Sequence, residues 1–190
     1  MKIPLLLPFI MFCITSLYAQ DIQLVEREGF IFGASVGASS LCLRYPASDV
    51  QTVSAFSLPN FKFGYMVTNR TALLLYFPGS VYSYTGEGRT RDRGFEAILP
   101  SAQYWITDRW WALAGAGLGM DAPAFYDIQN EEERKFYFGG SVVLATGFEL
   151  LRKGKFVLDT QGRVHYGTAS LTEGTRTGIA YSILVGVNWY

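Results

Sequence analysis

The stretch FVLDTQGRVHY, residues 156 to 166, decides how the rest of this sequence is read. Phe156, Leu158, Val164 and Tyr166 are large and apolar, while Asp159, Gln161, Arg163 and His165 alternate with them. Successive side chains leave a pleated strand on opposite faces, so the pattern predicts a strand with one apolar and one polar side. The same alternation recurs in FKFGYMV (61 to 67), where Phe61, Phe63, Tyr65 and Val67 oppose Lys62 and Met66. In FYFGGSVVLATGFEL (136 to 150), Phe136, Phe138, Val142, Leu144, Phe148 and Leu150 oppose Tyr137, Ser141, Ala145 and Glu149. The chain ends on YSILVGVNWY (181 to 190), with Tyr181, Ile183, Val185, Val187 and Trp189 on one side. Two faces in every segment imply two different surroundings.

Segments of this kind predict eight strands: 28 to 40, 57 to 67, 71 to 82, 94 to 106, 110 to 120, 136 to 150, 156 to 166 and 177 to 189. The gaps alternate between short turns (Thr68 to Arg70, Thr107 to Arg109, Leu151 to Lys155) and longer polar stretches such as GEGRTRDR (86 to 93) and DIQNEEERK (127 to 135). An even number of strands with short turns at one end and long loops at the other is the pattern of an up-and-down transmembrane β-barrel, its turns and both termini periplasmic. Three places are untidy. Leu73, Leu74 and Leu75 are apolar on both faces, Trp111 to Met120 is mainly Ala and Gly, and Pro100 cannot donate to a ladder, which predicts a bulge.

Alternation alone does not distinguish this barrel from a soluble one turned inside out. Length and context do. Several segments exceed the roughly 9 to 11 residues a tilted strand needs to cross hydrocarbon. Residues 1 to 19, with Lys2, an apolar run to Ile14 and Ala19, read as a cleaved secretory signal, which leaves 20 to 190 as one barrel domain. The residues before Cys13, Met11 and Phe12, are too bulky for a lipoprotein cleavage site. Beyond the signal, no apolar run reaches the length of a membrane helix, and Cys42 alone excludes a disulfide framework. A formal charge of zero gives no reason to expect nucleic acid. Trp105, Trp110, Trp111 and Trp189 all fall at the short-turn end and are predicted to form an aromatic girdle at the membrane interface.

YSILVGVNWY resembles the last strand of small outer-membrane barrels, whose alternating apolar residues and terminal aromatic are read by the barrel-assembly machinery. GFIFGASVGASSL (29 to 41), NFKFGYMVTNRTALLLYF (60 to 77) and QYWITDRWWALAGAGLG (103 to 119) are similar to strand-turn-strand units of the small outer-membrane β-barrel superfamily, which includes the OmpA-type eight-stranded barrels, and to outer-membrane barrel proteins of Bacteroidetes. The resemblance implies an eight-stranded antiparallel up-and-down barrel in the outer membrane of a Gram-negative cell. Tyr190 falls one position out of step with the apolar face that ends on Trp189.

An eight-stranded barrel has an interior just wide enough for side chains. Lys62, Gln103, Glu149, Asp159, Gln161, Arg163 and His165 are expected to fill it as a hydrogen-bonded polar plug, because isolated buried ions are costly. A ligand or proton path through the same residues is the alternative. His165 invites a catalytic reading, since eight-stranded lipid A deacylases carry a Ser two residues after a His on one strand face. Here that position is Gly167, and Ser170 has the opposite parity. No catalytic residue, metal or cofactor is therefore assigned. GAGLG (115 to 119) is read as close backbone packing, not as a phosphate loop. Glu131 to Glu133 are read as a solvated loop. Arg89, Arg91 and Arg93 are candidate contacts for lipopolysaccharide phosphates. The expected role is structural, envelope-stabilising or adhesive, with outer-membrane lipid and lipopolysaccharide as surroundings. A lipid A hydrolase and a hydrophobic-ligand barrel are the alternatives.

Overall fold

The computed structural model describes residues 26–45, 50–58, 60–86, 89–129, 131, 134–171 and 174–190, so the segment read as a secretory signal lies outside it. Ten strands form: β1 (Phe30–Arg44), β2 (Gln51–Ser57), β3 (Phe61–Thr68), β4 (Thr71–Phe77), β5 (Gly79–Gly86), β6 (Arg89–Trp105), β7 (Trp110–Pro123), β8 (Tyr137–Lys153), β9 (Phe156–Leu171) and β10 (Gly174–Trp189). They make a ring of eight staves, because β2 with β3 and β4 with β5 are each one stave interrupted part-way. Every pairing is antiparallel between chain neighbours, and β10 returns to β1 from Phe32↔Trp189 to Arg44↔Thr177, which closes the cylinder.

The two interruptions lie side by side and have a visible cause. Pro78 has no N–H to offer, so the hydrogen-bonded ladder breaks between β4 and β5 while Tyr76↔Leu99 and Gly79↔Glu96 keep one register. On the neighbouring stave, Phe56 pairs with Val81 but Phe61 with Phe77, a one-residue offset. An extra residue in one strand bends it and raises its local twist. Further register shifts fall between Met66 and Thr68 and between Glu149 and Leu151. The bulge predicted at Pro100 is absent: β6 runs through it, pairing Leu75↔Pro100 in the same register as its neighbours.

Alternation sorts the side chains as the pattern requires. Phe61, Phe63, Tyr65, Phe138, Leu144, Val164, Ile183 and Val185 are exposed on the outside, whereas Lys62, Glu149, Asp159 and Arg163 are buried within. The ambiguous leucines obey it too, with Leu74 inside and Leu73 and Leu75 outside. A monomer in water rarely exposes a contiguous apolar surface of more than a few hundred Å². A continuous outer belt of Phe, Leu, Ile and Val is what hydrocarbon tolerates and water does not.

The strands at the long-loop end run further than the apolar pattern suggests. GEGRTRDR is mostly strand, since β5 ends at Gly86 and β6 begins at Arg89, and the β9–β10 ladder continues to Leu171↔Gly174. Hairpins standing above the belt need no apolar outer face, so their strand character leaves no hydrophobic signature.

Candidate functional site

The interior is filled in three tiers. At the short-turn end, Glu149 of β8 accepts the Trp105 indole N–H at 2.7 Å and the Tyr190 hydroxyl at 3.1 Å, and pairs with Arg152 and, at 3.5 Å, with Arg27. Arg27 also donates to the Asp108 carbonyl at 2.5 Å, and its guanidinium sits 4.6 Å from the Trp105 ring centre. Trp105 and Tyr190 meet edge to face at 5.4 Å. Burial, with the Glu149 carboxylate beside it, pushes the Tyr190 phenol well above its ordinary range, so it stays a donor. Being out of step is thus what turns Tyr190 inward, where it closes this end of the lumen.

Just above, Asp159 accepts Trp111 Nε1 at 3.1 Å, Asn188 Nδ2 at 2.9 Å and Gln161 Nε2 at 2.8 Å. Lys62 Nζ donates to Gln103 Oε1 at 3.0 Å and lies 4.7 Å from the Trp111 ring centre, a cation–π arrangement. Room for these groups comes from inward-facing glycines. A side chain at Gly147 would overlap the Trp111 indole, and one at Gly186 would overlap Asp159 and Gln161.

The aromatic girdle is therefore corrected. Trp105 and Trp111 are 0% and 1% exposed, inside the barrel, while Trp110 and Trp189 are 45% and 54% exposed on its outer face. Strand parity explains the outcome: Trp105 shares a face with Gln103, and adjacent Trp110 and Trp111 must point in opposite directions.

The middle tier belongs to Arg163. Its guanidinium donates to Ser57 Oγ at 2.6 Å, Tyr76 Oη at 3.1 Å, Ser182 Oγ at 3.1 Å, the Gly79 carbonyl at 3.2 Å and Asn60 Oδ1. Among the described residues no carboxylate touches it. Asn60 in turn donates to the Ser35 and Ser57 carbonyls at 3.0 and 2.9 Å and accepts from Gly79 N–H at 3.0 Å. Arg163 and Asn60 thus pair backbone groups beside the two interrupted staves, where the ladder fails them.

At the long-loop end, Asp121 is buried between Arg93, whose Nε donates at 2.5 Å, and Arg176, with the Tyr82 hydroxyl donating at 2.7 Å. Arg176 lies 4.7 Å from the Tyr45 ring centre. The three arginines singled out for lipopolysaccharide share the inward parity. Arg93 is consumed by Asp121, Arg91 is buried with its guanidinium 5.5 Å from the Tyr84 ring centre, and Arg89 pairs with Asp127 at 3.0 Å. Arg91 and Arg93 thus turn inward and away from the lipid, which corrects their expected lipopolysaccharide contact, whereas Arg89, with a quarter of its side chain exposed, is held by Asp127. Of the acidic loop run, Glu132 and Glu133 lie outside the described residues, and Glu131 pairs with Arg134 at 3.3 Å.

His165 acquires a partner that its own strand does not supply. Ser141 of β8 places Oγ 2.7 Å from His165 Nε2 and donates to the Tyr166 carbonyl at 2.8 Å. A hydroxyl carries one proton, so with that proton on the carbonyl the ring N–H donates to the serine. The imidazole is then no base for Ser141, and among the described residues no carboxylate orients Nδ1. Phe95 packs 4.8 Å from the ring, and both Ser141 and His165 are buried.

No family model matches the sequence, and no curated protein matches it. Solved structures do. The Neisserial surface protein A aligns over 85% of this chain and 96% of its own at a TM-score of 0.58, with 17% identity. The fold is that of the small outer-membrane β-barrels. The Yersinia pestis attachment invasion locus protein Ail, solved with sucrose octasulfate, aligns over 86% of this chain and all of its own at 0.49 with 14% identity. OprG of Pseudomonas aeruginosa aligns over 90% and 100% at 0.46 with 11% identity.

The seven residues assigned to the lumen of this barrel are all placed inside it, in two tiers plus the Ser141 contact. Asp121, Arg176, Asn60, Arg27, Asn188 and Ser141 join them without having been singled out. Asp121 and Arg176 lie one residue outside the strands predicted around them; parity extended by one step would have found Arg176, whereas the Ala- and Gly-rich stretch before Asp121 carries no phase to extend.

Proposed function

We propose that this chain is a non-enzymatic integral protein of the outer membrane, with a structural, envelope-stabilising or surface-adhesive role. The short turns face the periplasm and the long hairpins face outward. The observation that carries this reading is the pairing of an apolar outer belt with a lumen blocked at three levels, by Glu149 with Trp105 and Tyr190, by Arg163, and by Asp121 with its two arginines. Side chains that satisfy one another across a narrow interior leave no wide aqueous path. Outer-membrane lipid covers the belt, and the barrel-assembly machinery inserts it, with the outward apolar residues of β10 as the segment presented. The hairpins β5–β6 and β9–β10, raised above the belt, are the surface available for contact with other cells or envelope components.

Two measurements test it. Cell fractionation followed by gel migration with and without boiling should place the protein with outer membranes and show a heat-dependent shift. In planar bilayers the purified barrel should give no steady conductance, and a sustained open channel would defeat the plug.

The Ser141–His165 contact gives a lipid hydrolase one specific observation to stand on. Against it, both groups face the lumen, and acyl chains lie outside. Ser141→Ala in the native host should leave the lipid A acylation pattern unchanged, and a change would revive the enzyme.

A further inference from the structure

Glu96 is a carboxylate on the wrong face. In β6, Phe95, Ala97 and Leu99 are buried toward the lumen, so Glu96 shares the outer face with Ile98, Pro100 and Tyr104. It lies in a cleft of about 280 Å³ walled by Phe61, Phe63, Phe77, Pro78, Ile98 and Met120. Among the described residues none gives Glu96 a hydrogen bond or an ion pair. Its side chain runs back along the strand over Gly94, where a Cβ would lie 2.9 Å from Cδ and overlap Oε1. The absence of a side chain at position 94 is what lets the carboxylate reach toward the long-loop end.

Depth matters as much as direction. Glu96 stands eight residues along β6 from Tyr104, which is exposed near the short turns. At about 3.3 Å per residue and a tilt near 40°, that separation is roughly 20 Å along the barrel axis, close to the upper edge of a belt about 25 Å tall. An ionisable side chain on that surface is costly unless something meets it, and a half-buried carboxyl group with no partner among the described residues is suited to a cation that brings several donors. Phenyl rings line the same cleft and give its walls an apolar surface.

We propose that this cleft seats one lipid whose head group ends in a primary ammonium, with Glu96 accepting its N–H donors and Phe61, Phe63 and Phe77 forming its apolar walls. The site rests on the membrane reading above and adds to it a particular lipid chemistry at a particular point on the wall.

The test is native mass spectrometry of the detergent-purified barrel, titrated with phosphatidylethanolamine, phosphatidylcholine or phosphatidylglycerol of identical acyl chains. The expected result is one retained phosphatidylethanolamine, about tenfold above either competitor, the size of effect a charge-assisted hydrogen bond gives. Glu96→Gln should bring phosphatidylethanolamine down to the level of phosphatidylglycerol. Equal retention of the three lipids, or full retention by Glu96→Gln, overturns the proposal, and choline retained as well as ethanolamine overturns the requirement for N–H donors. Gly94→Ala, which crowds the carboxylate without removing it, should also lower retention, and it decides the matter if Glu96→Gln does not fold. Heat-dependent gel migration of each variant keeps the two readings apart: a folded barrel without lipid preference sinks this site alone, whereas a wild-type protein with no shift sinks the membrane reading beneath it.

Discussion

Glu149 and Asp121 are buried carboxylates near opposite ends of one lumen, each with two arginines and a tyrosine, yet they are secured differently. Around Glu149, both arginines also donate to the Asp108 carbonyl, and Arg152 is 21% exposed, so its charge is shared with backbone and water. Two aromatic rings complete the closure. Around Asp121, Arg93 and Arg176 are each 4% exposed, so although Arg93 also donates to the Asp121 and Lys135 carbonyls at 3.1 Å, neither guanidinium shares its charge with water. The middle tier takes a third route, surrounding Arg163 with neutral oxygens from hydroxyls, an amide and a carbonyl. One narrow cylinder thus holds a charge paired and vented, a charge paired and sealed, and a charge solvated by dipoles. The cost of removing the central group should differ accordingly.

The sealed pair should be the most sensitive. Asp121→Asn removes the carboxylate charge that two buried guanidinium groups face and should cost about 4 kcal/mol, within the range for breaking a buried ion pair from one side. Urea unfolding in lipid vesicles, followed by gel migration, would show it as a large drop in midpoint, and an unchanged midpoint would break the distinction between the tiers. Trp105→Ala should follow at about 3 kcal/mol, the cost of truncating a buried indole. It should loosen the short-turn end without giving new conductance in planar bilayers, because the Arg163 and Asp121 tiers above it stay filled, while Trp110→Ala, on the outer face, should cost less. Glu149→Gln should cost about 2 kcal/mol, because Arg152, at 21% exposure, keeps access to water once the carboxylate is gone. If it matched or exceeded Asp121→Asn, the idea that exposure softens the lower tier would be wrong. Ser141→Ala should be mildest, about 1 kcal/mol for one lost hydrogen bond at His165.

How much of this could be read from the sequence depends on where a residue sits relative to the belt. Between the two edges of the hydrocarbon, each strand must show an apolar outer face, so Phe61 with Lys62 and Val164 with Arg163 declare their directions. The inward placement of Lys62, Glu149, Asp159, Gln161 and His165 followed from that parity alone. Above the belt the constraint lapses, and Arg89, Arg91 and Arg93 looked like a loop although they lie on one strand with their side chains turned inward. Trp105 and Trp111 were misplaced because the preference of tryptophan for interfaces was weighed above the parity of their neighbours. Ser141 beside His165 was illegible for another reason. The two are 24 residues apart and meet only through the Ser141↔Gly167 register, which is set by the turn between β8 and β9 and by a bulge at Glu149. Asn60 needed the same kind of knowledge, since its task exists only because two staves break next to each other.

The seam between β1 and β10 joins positions more than 130 residues apart. Until it zips, the first and last staves each present a row of bare amide and carbonyl groups, and oil has nothing to offer them. A half-built version of this molecule has no comfortable place in a bilayer, so its passage into the membrane must be nearly all-or-none or be chaperoned along those two edges. Weakening contacts that form late, at the seam, should therefore trap unfinished chains more readily than equal damage in a hairpin that forms early.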